Sequence, residues 1–172
     1  MSMYPIASVG PAGSGGIGTI TFSSIPQNFT HLQIRVFCRT NGAATQLPIF
    51  ITFNGDSGSN YNGGSIQGGY NSPTGGYATS TTPYGIYCFP GSTSGTNYFG
   101  VGIIDIYDYT NASINKTFRA TAGYSNYAAG GDEVRITEGS WMNTSAITSI
   151  TLSPYGGSTQ YSQFDLYGIV TA

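Results

Sequence analysis

The chain has 172 residues, of which 7% are charged, and a net charge of −2. Its five basic residues, Arg35, Arg39, Lys116, Arg119 and Arg135, are scattered, which excludes the clustered Lys and Arg that an electrostatic nucleic-acid binder uses to displace counterions. No run approaches the roughly 18 consecutive apolar residues of a membrane span, and MSMYPIASVG has neither the basic nor the apolar region of a secretory signal, so we expect no membrane insertion and no secretion.

Tyr4 to Val9 alternates as a short strand and runs into Gly10-Pro11-Ala12-Gly13-Ser14-Gly15-Gly16, a Gly-rich N-terminal arm over residues 1–16. Gly13, Gly15 and Gly18 spell GxGxxG, but Thr19 to Phe22 are β-formers where a dinucleotide fold needs a helix. The clearest signal follows. Leu32, Ile34, Val36 and Cys38 alternate with Gln33, Arg35, Phe37 and Arg39, and after Asn41-Gly42 the pattern resumes with Ile49, Ile51 and Phe53. These are two strands with one buried face, ended by Asn54-Gly55-Asp56.

Residues 55–97 form a long Gly/Ser/Tyr-rich excursion with one apolar island, Ile86 to Phe89. Tyr61, Tyr70, Tyr77 and Tyr84 lie in it, the last three spaced by seven. Such tyrosines either form a recognition surface of rigid rings or lie over the sandwich or a neighbouring subunit; both readings stand. The oxygen side chains from Asn54 to Asn60 are read as an Asn-Gly turn, because a calcium loop would carry a bidentate Glu where Ser65 stands.

Tyr98 to Tyr109 sets Val101 and Ile103 on one face and Ile104 and Ile106 on the other, which marks a central strand or one covered by a neighbour. Lys116 to Ala122 sets Phe118 and Ala120 against Arg119 and Thr121. Asp132 to Trp141 sets Val134 and Ile136 against Arg135 and Thr137, and the runs at 147–152 and 164–170 finish the chain. About nine or ten strands without an amphipathic helix predict an all-β, single-domain antiparallel β-sandwich over residues 1–172.

Catalytic chemistry has little to work with. His31 is the sole histidine, and the carboxylates Asp105 with Asp108, or Glu133 with Glu138, are the pairs a glycosidase would need. Each sits where a solvated carboxylate is normal, so we expect no enzyme, catalytic residue, cofactor or metal. Cys38 and Cys88 sit in apolar runs and are expected to be buried free thiols.

Three segments carry a resemblance: Ser24-Ile25-Pro26-Gln27-Asn28-Phe29-Thr30-His31-Leu32, Phe53-Asn54-Gly55-Asp56-Ser57-Gly58-Ser59-Asn60-Tyr61 and Phe164-Asp165-Leu166-Tyr167-Gly168-Ile169. Their order resembles that in small virion surface proteins of tailed bacteriophages, including phages of cyanobacteria and marine bacteria. The resemblance implies a jelly-roll-like sandwich, usually a homotrimer, on the virion surface after assembly in the host cytoplasm. It implies either a capsid decoration (cement) protein that bridges major capsid proteins, or a tail-fibre or spike protein that contacts host-surface glycan. With strands beginning at Tyr4, we expect decoration, with Tyr4, Gly10, Pro11 and Gly13 of the arm ordering on the capsid. For the tail alternative, Tyr61, Tyr70, Tyr77 and Tyr84 are the candidate glycan contacts.

Overall fold

A computed structural model describes residues 1–69, 73–81, 83–125 and 132–171, with backbone alone for 77–81. Twelve strands run β1 (Ser2–Val9), β2 (Ile20–Phe22), β3 (His31–Cys38), β4 (Gln46–Phe53), β5 (Tyr61–Gly69), β6 (Thr74–Thr81), β7 (Tyr84–Pro90), β8 (Gly100–Tyr107), β9 (Lys116–Tyr124), β10 (Glu133–Trp141), β11 (Ile150–Pro154) and β12 (Gln163–Val170). The described residues contain no helix. The chain is an all-β sandwich of an eight-stranded and a four-stranded antiparallel sheet.

The pairing explains the topology. β1 pairs with β12, β2 with β11, β3 with β8 and β4 with β7, all antiparallel. These nested pairs are one long antiparallel ribbon. Wrapping it on itself sets β12 beside β3 and β11 beside β4, which gives β1-β12-β3-β8 in one sheet and β2-β11-β4-β7 in the other. That is the jelly roll. Two hairpin insertions then widen one sheet: β5–β6 falls between β4 and β7, β9–β10 between β8 and β11, and together they add β9-β10-β5-β6 beyond β8. The strand count exceeds the expected nine or ten because β5 and β6 arise from the Gly-rich excursion, where YNGGSIQGG and TGGYATST carry almost no apolar alternation.

The core lies between the sheets as the alternation of β3 and β4 requires. Leu32, Ile34, Val36 and Cys38 face Ile49, Ile51 and Phe53, with Ile104, Ile106, Phe164 and Leu166 beside them. A second, aromatic part of the same core lies under the extension, where Phe53 contacts Tyr61, Phe118 and Trp141 at ring-centroid distances of 6.3, 5.9 and 5.8 Å.

The segments that carry the resemblance are joints of this scaffold. Asn54 and Gly55 both have positive φ (52° and 71°) with Asp56 N donating to Phe53 O, the geometry that Asn-Gly favours. From this corner the Asp56 carboxylate accepts hydrogen bonds from Trp141 Nε1 (2.7 Å), Asn60 Nδ2 (2.9 Å) and Gly58 N (2.9 Å). The Asn54 amide oxygen accepts from Thr148 N and Ser149 N. Phe29 lies over Gly168, where a Cβ would come within 2.3 Å of the ring. Gln27 Nε2 donates to Ile25 O and Ile147 O.

Residues 2–9 contain the short strand expected from Tyr4 to Val9. They form an edge strand on β12, and the following loop is tied to the same chain by Ala12 N to Ser162 O and Tyr161 N to Ala12 O. The inner edge of β1 is thus paired within the chain, and its outer edge remains open.

Candidate functional site

The outer face of the eight-stranded sheet is where local pattern and burial part company. Trp141, the bulkiest fully buried side chain, is fixed inward on β10 against Phe53 and the Asp56 carboxylate. Gly139 points inward two residues earlier, where Phe118 leaves no room for a Cβ. A strand has a period of two, so Thr137 and Arg135 must also face in and Ile136 and Val134 must face out. Magnitudes favour this phase. Burying an indole removes about 200 Å² from water, worth about 5 kcal/mol, whereas half-exposing Val134 and Ile136 forfeits about half of the roughly 1.5–3 kcal/mol that burial of each would give. The same holds on β5, where Ser65 and Gln67 are half-buried while Ile66 stands out.

The strand register turns these residues into rows. One row crosses the face as Phe37, Val101, Gly123, Val134 and Gly68. The next runs Asp165, Arg35, Ile103, Thr121, Ile136, Ile66 and Gly75. Ile66 is 64% exposed, Val101 59%, Val134 54% and Ile136 45%, against 4% or less for the inward-facing Leu32, Ile34 and Val36. Phe37 stacks on Phe99 at 4.6 Å at one end of the patch. Below lies a polar row, Gln33, Asp105, Arg119, Glu138 and Gly64. There Asp105 accepts from Gln33 Nε2 at 2.8 Å, with Arg119 Nη2 3.9 Å away.

The apolar rows have relief. Hollows of about 580 Å³ lie on each side of the Ile66–Ile136 ridge, and one of about 440 Å³ lies between Val101, Ile103 and Val134. Glycines floor them for no intramolecular reason. A Cβ on Gly68 or Gly75 would meet only ordinary contacts at 3.8 and 3.5 Å, and one on Gly76 would meet nothing within 4 Å. On the inner face, by contrast, a Cβ on Gly63 would lie 2.3 Å from Glu138 O. Glycine in a strand weakens it unless another backbone or a ligand approaches closely, and no atom of the described residues approaches Gly68, Gly75 or Gly76 that closely. Chemically the face can bury apolar surface beside one charged row; it converges no acid, base or nucleophile.

The residues singled out in the sequence fall elsewhere. Tyr61 is a core residue, not a stacking surface: it is fully buried, its hydroxyl donating to Asp56 O and accepting from Phe53 N. Tyr84 is likewise buried, edge-on to Phe118 at 5.9 Å. Burial pushes the Tyr61 phenol up to about 12. The backbone of Tyr77 pairs with Gly64 in β6, whereas its side chain and Tyr70 lie outside the described residues. Tyr4 on β1 is half-exposed and 6.0 Å from Phe29; Gly10 is held at φ 117° against Ser162 O, and Pro11 and Gly13 are exposed. Glu133 and Glu138 lie five residues apart on β10, on opposite faces. Asp108 lies in the turn after β8, its N–H donating to His31 Nδ1 at 3.0 Å. No group of three or more His, Cys, Asp or Glu gathers among the described residues. Cys38 and Cys88 are free and buried, and burial pushes both thiols up to about 12.

Arg39 and Lys116 are structural cations. The Arg39 guanidinium donates to the carbonyls of Ser92, Ser94 and Gly95 and so folds the connection from β7 to β8. Lys116 Nζ is held by the carbonyls of Asn111, Ile114 and Thr144 at 2.7, 2.7 and 2.8 Å, and burial lowers its pKa.

The sequence signal that pointed at the face was β8, with apolar residues on both sides. The contribution of β10 and β5 was hidden, because the alternation of Val134 and Ile136 with Arg135 and Thr137 does not say which set faces in. Comparison with known proteins returns no matching family model, no matching curated protein and no matching solved structure.

Proposed function

We propose that this chain is a structural protein of the virion surface of a tailed bacteriophage, acting as a capsid decoration protein that bridges major capsid proteins by surface burial rather than by catalysis. One observation carries the reading: the outward-facing Val101, Ile103, Val134, Ile136 and Ile66 make a contiguous apolar sheet face that an isolated soluble domain has no use for. The jelly roll is a frequent architecture of capsid proteins, and the three resembling segments supply the class, although a shared scaffold alone does not assign a role. A surface with 7% charged residues fits repeated contact with neighbouring subunits, because little hydrated charge has to be stripped when two such surfaces meet. Repetition over a capsid then builds avidity from modest individual contacts.

Quantitative mass spectrometry of purified virions tests this directly. Copies comparable in number with the major capsid protein are expected. A handful per particle would place the chain in the tail instead, and absence from particles would overturn the virion reading.

A further inference from the structure

We propose that the exposed face of β8, β9, β10 and β5 is occupied by a second copy of this chain, across a two-fold axis that runs parallel to the strands between β9 and β10. The inference rests on the proposed function only in taking this face for a contact surface; it assigns the face to self-contact, so that other surfaces of the dimer meet the capsid, and it stands on three properties of that face.

The first is relief. Ridges stand on β8 (Val101, Ile103) and on β10 with β5 (Val134, Ile136, Ile66), and hollows lie over β9 (Thr121, Gly123) and over Gly68 and Gly75. A two-fold axis between β9 and β10 sets β9 against β10 of the other copy, and β8 against β5. It preserves the rows. Val134 of one copy then enters the hollow over Gly123 of the other, Val101 enters the hollow over Gly68, Ile136 meets Thr121, and Ile103 meets Ile66. In three of these four contacts a larger residue opposes a smaller one, and Ile103 and Ile66 meet as an apolar pair between sheets packed about 10 Å apart. An isologous contact of this kind needs a self-complementary patch, and this register supplies one.

The second is charge. In the polar row the same operation sets Arg119 against Glu138 of the other copy, twice by symmetry. No pair of like charges is opposed among Asp105, Arg119 and Glu138, since Asp105 falls opposite Gly64. The third is area. The six strands from β3 to β6, at about 4.8 Å spacing and roughly 26 Å long, present on the order of 700 Å², close to the roughly 800 Å² per partner of a standard interface. A saccharide fits less well, because its hydroxyls would be left without partners against Ile66, Val134 and Ile136.

The test uses the full chain. Sedimentation equilibrium is expected to give a dimer of the 18.0 kDa chain. Ile136→Asp and, separately, Ile66→Asp are expected to raise the dissociation constant on the order of tenfold or more, with near-UV circular dichroism unchanged. If an aspartate variant fails to fold, Ile66→Thr combined with Ile136→Thr keeps β-branched side chains and reads the same shift. A pairing test fixes the axis. β8 and β5 are three strands apart within one chain, about 14 Å, beyond disulfide reach. The double variant Val101→Cys with Gly68→Cys, treated with a bis-maleimide that spans the roughly 10 Å between packed sheets but not the roughly 14 Å between β8 and β5 of one chain, should therefore give a covalent dimer, and neither single variant should.

A monomer across micromolar concentrations, an oligomer indifferent to the Ile66 and Ile136 variants, or a trimer without the covalent dimer would overturn the inference. Its failure is separable from that of the virion reading. A monomer that still decorates particles, and detaches when Ile136→Asp is introduced, would assign the face to a capsid subunit. A dimer absent from particles would leave the self-contact intact and remove the virion role.

Discussion

Asp56 shows how a single side chain organises a corner of the fold. Its carboxylate is held below the usual range by the hydrogen bonds from Trp141, Asn60 and Gly58, and it closes the only polar group of an otherwise buried indole. Asp56→Ala leaves that N–H unpaired and should lower the unfolding free energy by about 1–3 kcal/mol, measured by urea denaturation; a loss within error would mean that water replaces the carboxylate. Because the folded pKa lies below the unfolded 3.8, the stabilisation is complete above the unfolded value and is lost as pH falls through the folded one. At alkaline pH the sign reverses for the buried acids. Cys38 and Cys88 rise from 9.0, and Tyr61 and Tyr124 from 10.0, to about 12, chiefly by burial. The unfolded chain therefore releases these protons first, and stability should fall from about pH 9 upward. Lys116, lowered by burial, works the other way, but it is one group against six, since burial raises Tyr84 and Tyr109 as well. The urea midpoint should fall between pH 8 and pH 11, about where the two thiols begin to ionise in the unfolded chain; a flat midpoint over that range would refute the burial argument.

At the scale of elements, β10 separates what alternation tells from what it leaves open. The period of β10, like those of β3, β4 and β8, is legible from composition alone. Its phase is not, because Val134 and Ile136 outvote Thr137 and Arg135 in hydrophobicity, while Trp141, Gly139 and the reach to Asp56 decide the outcome through tertiary contact. β5 and β6 were illegible for the opposite reason, since their glycines carry no pattern and their strand character shows only in pairing, β5 with β10 and β6 with β5. Spacing along the chain could not choose between the two readings of the tyrosines, and Tyr61 and Tyr84 fill the aromatic core. Two classes of glycine follow, with opposite predictions. Gly139→Ala would set a Cβ 2.3 Å from the Phe118 ring and should destabilise the isolated chain by about 1–3 kcal/mol through overpacking. Gly75→Ala meets only ordinary contacts and should be neutral or stabilising by up to about 1 kcal/mol. Thermal unfolding of both variants at low concentration distinguishes the classes; equal effects would mean that the outer glycines are needed by the fold itself.

For the whole molecule, the jelly roll and its four-strand extension divide the labour. The ribbon of β1, β2, β3, β4, β7, β8, β11 and β12 supplies the aliphatic part of the core, and β9-β10-β5-β6 adds its aromatic part and widens one sheet into a surface. With 7% charged residues and a net charge of −2, little long-range electrostatics is available to attract or repel a partner. Assembly through the Val101, Ile103, Val134, Ile136 and Ile66 patch must then be driven by apolar burial, with Arg119 and Glu138 setting register more than strength. Salt separates these contributions, because the Debye length shrinks from roughly 14 Å to 4 Å between 0.05 and 0.5 M NaCl and screens exposed pairs. Apolar burial is not screened, and excluded salts such as sulfate strengthen it. The dissociation constant of the self-association is therefore expected to change by less than about threefold over that NaCl range and to fall in sulfate. A tenfold weakening in NaCl would shift the driving force to the Arg119 row and make the apolar ridges spacers rather than the source of affinity.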